Sequence, residues 1–360
     1  MATQNMITTL DEFEAEYKKG IGTVFPPSPW KEASLDNILM FEDGIGDYNP
    51  LRMDEEYARK SRSGMITAPP SFLYRVLHGW GASITGNINP QRLSLKNVSL
   101  MYAGCDWEFF RPIWLGDKLY GQEKIVDIYR KPSKALGSIC FCAEETSYYN
   151  QKKELVATNR TLMARFQNPG KGVETDRENR TGVAIEGPDG LVYEAVRRGA
   201  EPRYWEDVKE GEEMPPLKKG TYTLTEIMYF HLCCVGSRRA TRAVLEEGET
   251  IDMGGGGRMD SDFAQRRRAM PAQFDWGPQR VCWLIQMMTD WMGDDGTLKK
   301  LSSSIRLPNL VGDTNTVKGK VIKKYIEGDE HLVDCDIWVE NQTGAASAPG
   351  RATVALPSKG

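Results

Sequence analysis

Asp47 and Asn49 stand in the stretch Phe41-Glu-Asp-Gly-Ile-Gly-Asp47-Tyr-Asn49-Pro50-Leu-Arg52-Met-Asp54. Its Gly, Asp, Asn and Pro residues bend the backbone and present short polar side chains at the bend. A carboxylate there either exchanges protons with a bound molecule or ties down backbone amides. Arg52 stays protonated, so it cannot act as a base at neutral pH, but it can bind a carboxylate or polarise a carbonyl. The chain has three histidines. His231 lies in the helical pattern Ile227–Leu232, either as a buried structural side chain or as a proton carrier. His78 reads as a helix-end cap, and His331, in a strand region, is given no role.

An echo follows about two hundred residues on. Arg52-Met-Asp-Glu-Glu-Tyr57-Ala58 matches Arg258-Met-Asp-Ser-Asp-Phe263-Ala264 at an offset of 206, and Arg111-Pro112 through Gly116-Asp117 matches Leu307-Pro308 through Gly312-Asp313 at an offset of 196. Two anchors in the same order, with similar strands after each, point to a duplicated domain. Ahead of Arg258 lie 28 residues after Tyr229, against ten between Phe41 and Arg52. The extra length holds Asp252 and Gly254-Gly-Gly-Gly257, whose spacing fits neither dinucleotide nor P-loop fingerprints.

These motifs need elements to hold them. The spacing predicts an extended lead-in over residues 1–33, a helix from an N-cap at Ser34, a polar helix after Asp54 and an apolar helix from Ser71 to Leu77. Period-two strands follow over Lys118–Tyr129, Gly137–Tyr149 and Glu154–Phe166. The second half predicts a central helix over Gln279–Trp291, then strands at Leu301–Leu307, Thr314–Tyr325, His331–Val339 and Ala346–Leu356. An apolar helix with several antiparallel strands implies a sheet wrapped around a helix, an α+β architecture. The domains read as residues 1–167, a polar surface linker over 168–202, and residues 203–360.

Composition narrows the function classes. The 360 residues are 40% hydrophobic and 27% charged, with a net charge of -4 and a mean hydropathy of -0.49. That balance offers no field for nucleic acid or a membrane surface. Apolar runs fall short of the roughly 20 residues that span a bilayer, and the N-terminus has no signal-peptide pattern. Seven scattered cysteines without zinc spacing read as reduced structural thiols of a cytoplasmic protein.

The residues Gly46-Asp47-x-Asn49-Pro50-Leu-x-x-Asp54, with Gly64-x-Ile-x-Ala-Pro69-Pro70-x-Phe72, resemble the first half of the MaoC-like acyl dehydratases, the hydratase-2 or (R)-specific enoyl-CoA hydratase group. Met259-Asp-x-Asp-Phe-Ala264, Gly277-Pro278 and Arg306-x-Pro308-x-x-x-Gly312-Asp313 are similar to the second half. The resemblance implies a double hotdog, two antiparallel sheets each wrapped around a central helix. It also implies reversible addition of water at the 2,3-position of an acyl-CoA thioester. The substrate is then a small molecule that carries its own coenzyme A, no other cofactor is needed, and the chain pairs as a homodimer or higher homo-oligomer.

In that family an Asp and a His, spaced Asp-x-Asn-Pro-x-His, activate the water, and a backbone amide near the start of a central helix receives the enolate charge. Here the His position is Arg52 in one half and Arg258 in the other. Asp47, Asn49, His231, Asp252 and Gly277 are therefore the catalytic candidates. Arg52, Pro69, Arg258, Asp260 and Trp276 are the substrate-binding ones. Structural roles stay open: Arg52 and Arg258 as surface partners of Asp54 and Asp260, Asp47 as a turn or N-cap residue, Asp260 as a helix cap, Gly277 as a plain helix start and Trp276 as core. Two other functions also remain open, a non-catalytic acyl-CoA-binding or partner subunit and a hotdog thioesterase.

Overall fold

The computed structural model describes residues 7–77, 98–134, 136–167, 195–235, 258–261, 264–265 and 270–360. Asp252, the glycine run, His78 and most of the expected linker lie outside these residues.

The first half begins with a helix, α1 (Leu10–Lys18), where the sequence predicts an extended lead-in. A capping box between Thr9 and Glu12 satisfies the first amides, and Leu10, Phe13 and Tyr17 turn one face inward. The charged residues around that three-residue apolar stripe hide it from a count of hydrophobicity. Strand β1 (Lys31–Glu32) and helix α2 (Leu35–Ile45) follow, the latter capped by Ser34 as expected. Gly46 closes α2 in the left-handed region at φ 64°, which glycine adopts without a Cβ clash. Helices α3 (Pro50–Met53) and α4 (Glu55–Lys60) carry the rest of the bend. A short strand β2 (Thr67–Ala68) and a 3-10 turn lead into α5 (Leu73–Leu77).

The strands are β3 (Val98–Phe109), β4 (Ile113–Trp114), β5 (Lys118–Ser133), β6 (Gly137–Tyr149) and β7 (Leu155–Gln167). In the second half β8 (Leu217–Thr221) precedes α6 (Leu224–Tyr229) and a π-helical turn (Phe230–Val235). The central helix α7 spans Gly277–Met292. Then come β9 (Thr297–Ser304), β10 (Thr314–Glu327), β11 (Glu330–Asn341) and β12 (Ala346–Ala355). Strand β9 ends earlier than the expected Leu307. Past Ser304 the chain turns away, and the Arg306 amide bonds the Ser347 carbonyl ahead of Pro308.

Ten strands form one antiparallel sheet in the order β1-β5-β6-β7-β3-β9-β12-β11-β10-β8. Five belong to each half. The halves join where β3 pairs with β9, from Gly104 opposite Ser304 to Glu108 opposite Lys300. All sixteen residues of α7 are buried, and Trp283 and Trp291 pack into the main core. Each such large apolar side chain contributes about 1.5–3 kcal/mol by leaving water. The architecture is a double hotdog. No described helix is long and apolar enough to cross a membrane.

Candidate active site

The central helix has polar side chains despite its burial, and they divide by its ends. Gln279 and Arg280 sit near its start; Gln286, Thr289 and Asp290 sit near its end. Thr289 lies twelve residues after Gly277, and at 1.5 Å per residue the two sites are about 18 Å apart. The structure distributes the candidate residues between these ends.

Asp47, Asn49 and Arg52 gather at the far end. Pro50 sits at the first helical position of α3, and the Asn49 side chain accepts the Leu51 amide, so the Asn-Pro pair is a helix start. This seats Arg52 in the interior. Its Nη1 donates to Glu42 at 3.0 Å and to Asp47 at 2.9 Å, and its Nη2 donates to Thr289 at 3.4 Å. The other Asp47 oxygen accepts from Arg197 at 2.6 Å, and Arg197 also pairs with Asp290 at 2.7 Å. Both Asp47 oxygens are therefore held by guanidinium groups.

The surface pairing expected for Arg52 is corrected here. Arg52 is buried and does not meet Asp54, whose carboxylate caps α4 through the Glu56 and Tyr57 amides. Arg258 lies against the Trp276 and Phe274 rings. Arg197, within the segment 168–202 expected as a surface linker, pairs with the buried Asp47 and Asp290.

Three carboxylates face two guanidiniums in this cluster, so protons redistribute. Burial pushes Glu42 up to about 8; Arg52 offsets part of that, and the Asp47 charge adds to it. Burial and Asp47 push Asp290 up to about 7. Lys219 donates to the carbonyls of Ile45 and Gly46 and to Gln286 at 2.5 Å, and burial lowers its pKa to about 8.

The sign of the resulting pH dependence is fixed. Between about 4.5 and 8, folded Glu42 keeps a proton that the unfolded chain releases, so stability falls as pH rises through that window. Asp290 acts in the same sense from 3.8 to about 7. Lys219 acts oppositely, adding stability as pH rises from about 8 to 10.5. Melting temperature is therefore expected to drop from pH 5 to pH 8, and Glu42→Gln, which imitates the protonated acid, to flatten the drop. Thermal unfolding followed by circular dichroism at several pH values checks this; an unchanged slope in the variant contradicts it.

His231, Arg258, Trp276 and Gly277 gather at the start of α7. Trp276 is the N-cap residue of the helix. The His231 ring stacks on it with centroids 5.5 Å apart and planes 18° from parallel. The Arg258 guanidinium lies 3.9 Å from the Trp276 centroid and 4.9 Å from that of Phe274, and its Nε donates to the Asp275 carbonyl at 3.1 Å. Arg280 clamps the same turn, with Nε and Nη2 on the two Asp275 oxygens at 2.6 and 3.2 Å.

Gly277 packs its Cα face on Tyr102 of the first half; an added Cβ would come within 2.9 Å of that ring. Close approach of the two halves requires glycine there. The Asp260 carbonyl accepts the Ala264 amide, as at a helix start. Pro69 is buried and its carbonyl accepts the Phe72 amide, placing it before α5. Among the described residues no His, Cys, Asp and Glu cluster could hold a metal ion.

Residues 21–159 match the model of the FAS1-like dehydratase domain region. A UPF0336 protein from Saccharopolyspora erythraea is 32% identical over 108 residues, which cover 30% of this chain and 67% of that protein. A Thermomonospora curvata protein named probable enoyl-CoA hydratase alpha subunit is 27% identical over 204 residues, covering 52% of this chain. The matched stretch spans 63% of that relative's length. A solved MaoC-like dehydratase covers 95% of this chain and 100% of its own at a TM-score of 0.70 and 14% identity. The chain is similar to the FAS1-like dehydratases over residues 21–159 and has the fold of the MaoC-like dehydratases. A Mycobacterium tuberculosis protein described as a double hotdog also aligns, at a TM-score of 0.58 with 15% identity, over 94% of this chain and 97% of its own. Its fold agrees with the ten-stranded sheet of this MaoC-like chain.

Proposed function

We propose that this MaoC-like chain adds or removes water at the 2,3-position of an acyl-CoA thioester, with its reaction centre at the start of α7. The observation that carries the proposal is His231 stacked on Trp276, with Arg258 against the same ring. Hydration needs a group that takes a proton from water and returns one to the α-carbon. His231 supplies it. It also needs donors for the thioester oxygen as enolate charge develops. The first turn of a helix has amides without intrahelical partners and a partial positive charge, which gives the Gly277 amide that role. Arg258 adds a full positive charge, and Asp252 is also proposed as a catalytic residue. The reaction is proton transfer with oxyanion stabilisation, so no cofactor is invoked beyond the coenzyme A of the substrate.

The halves are proposed as residues 1–167 and 203–360. The proposed setting is a cytoplasmic homodimer, consistent with all seven cysteines being free thiols. A second reading, a non-catalytic partner subunit, draws on the closed pairing of Asp47 with Arg52 and Arg197. Purified protein assayed against a panel of 2-enoyl-CoA thioesters separates the two. Loss of the conjugated-thioester absorbance above the uncatalysed rate supports the first. No turnover on the panel, together with co-purification of a second hotdog chain, supports the second.

A further inference from the structure

We propose that the cleft between residues 195–203, β8 and the last turns of α7 is a second binding site, for a small oxyanion, a phosphate or a carboxylate. It is independent of the reaction centre proposed above. The cleft holds about 180 Å³, below the range of about 300–1,000 Å³ typical of small-molecule sites, so it suits an ion rather than a thioester. Its lining includes Arg197, Arg198 and Arg203, Leu217 of β8, and Asp290 and Trp291 of α7. At 3.6 residues per turn, Asp290 and Trp291 share one face of that helix with Met287. Thr289 and Met292, which line the space beside Asn49 and Arg52, share the opposite face. The two spaces have no lining residue in common.

The three guanidiniums differ in what they have left to donate. Arg197 is fully engaged: it holds the Asp47 and Asp290 carboxylates and donates to the Tyr48 carbonyl. Arg198 uses Nε and Nη2 on the Glu201 and Pro202 carbonyls and the Glu201 carboxylate. Arg203 uses Nε on the Trp291 carbonyl at 2.7 Å and Nη1 on Glu212 at 3.0 Å. Among the described residues, neither Arg198 Nη1 nor Arg203 Nη2 has an acceptor. Arg203 also lies over the Trp291 ring, 4.5 Å from its centroid, and this cation–π contact steadies its fork.

The charges of the lining favour an anion. Three guanidiniums stand against two carboxylates, Glu201 and Asp290. Asp290 is occupied by Arg197, and burial pushes it up to about 7, so near neutrality it carries less than a full negative charge. Glu201 meets Arg198 at 3.1 Å with most of its side chain in water, a pair of the exposed kind that is worth little and exchanges readily. Arg203 is held below the ordinary arginine value, first by burial and then by the Arg198 charge. An anion between the two guanidiniums relieves that repulsion. Their planar forks suit a carboxylate or a phosphate, and the charge-assisted bonds so formed are the strong kind. The lining contains no His or Cys, so binding rather than chemistry is assigned to it.

Titration calorimetry of the full chain with inorganic phosphate and with acetate, at constant ionic strength, tests the site and separates the two anions. Saturable binding of one ion per chain is expected for at least one of them. Arg198→Gln leaves the Arg203 contacts with Trp291 in place and should weaken binding at least fivefold. Arg351→Gln, at an exposed arginine of β12 outside the cleft, should leave it unchanged. The melting temperature should rise with the concentration of the bound ion at constant ionic strength, and rise less in Arg198→Gln. A crystal soaked with the tighter ion should place its oxygens within hydrogen-bonding reach of Arg198 Nη1 and Arg203 Nη2. No saturable binding of either ion, an affinity unmoved by Arg198→Gln, or an ion seated outside the cleft overturns the proposal. None of these readouts depends on turnover, so a failed hydration assay leaves them intact.

Discussion

Replacing Arg52 with methionine should lower the unfolding free energy by about 3–5 kcal/mol, the usual loss when one partner of a buried ion pair is removed. The Glu42 and Asp47 side chains have no solvent exposure, and Arg52 has 4%. Without the guanidinium, two acids would share an interior with only Arg197 left to hold Asp47. At the roughly 2–4 °C per kcal/mol of a domain of about 150–250 residues, the melting temperature falls by on the order of 10 °C. Lys60→Met breaks an exposed pair with Glu56 and should change stability by less than about 0.5 kcal/mol. Urea unfolding measures both. The cause is isolated by adding Glu42→Gln and Asp47→Asn to Arg52→Met: the triple variant should recover much of the loss, because it no longer buries unpaired carboxylates. A loss below about 1 kcal/mol for Arg52→Met would mean that the cluster does not hold the halves together.

His231→Gln should reduce kcat/KM for hydration by about 10²–10⁴-fold, the range that a positioned acid or base supplies. Glutamine keeps a polar planar group against Trp276 but cannot carry the proton. Asp47→Asn should cost less than about tenfold when assayed well below its melting temperature, because both Asp47 oxygens are engaged by Arg52 and Arg197. The contrast between the variants carries the information. If Asp47→Asn removes turnover and His231→Gln leaves it, the chemistry belongs to the bend in the first half.

Most of the sheet could be read from the sequence because alternation survives burial on one face. Strand β6 (Gly137–Tyr149) has the expected bounds, and β10 and β11 differ only at their ends. The central helix was legible from its apolar run. Its inward polar residues carry a further signal: Gln279, Gln286 and Asp290 recur at seven and eleven residues, one side of a helix, and they meet Tyr222, Lys219 and Arg197. Arg197 left no such trace, since its role depends on where a polar segment folds back. Nor did Glu42, which reads as an ordinary surface residue of an amphipathic helix until Arg52 is placed beside it. Glu226, pushed up to about 7 by burial, hides in the same way behind its capping-box role with Thr223.

The candidate site was legible in part. The motif resemblance located the bend and the helix start. It could not tell that a guanidinium in place of imidazole would close onto Asp47, since that depends on Thr289 and Arg197 arriving from distant positions. His231 could be found only because histidines are few.

The position of the reactive carbons in a bound substrate analogue decides where the chemistry takes place. A crystal structure of the full chain with a 3-hydroxyacyl-CoA should place C2 and C3 within hydrogen-bonding reach of His231, with the thioester oxygen at the first turn of α7. Reactive carbons lying instead against Arg52 and Thr289, with His231 distant from the ligand, would contradict a reaction centre at the start of the central helix.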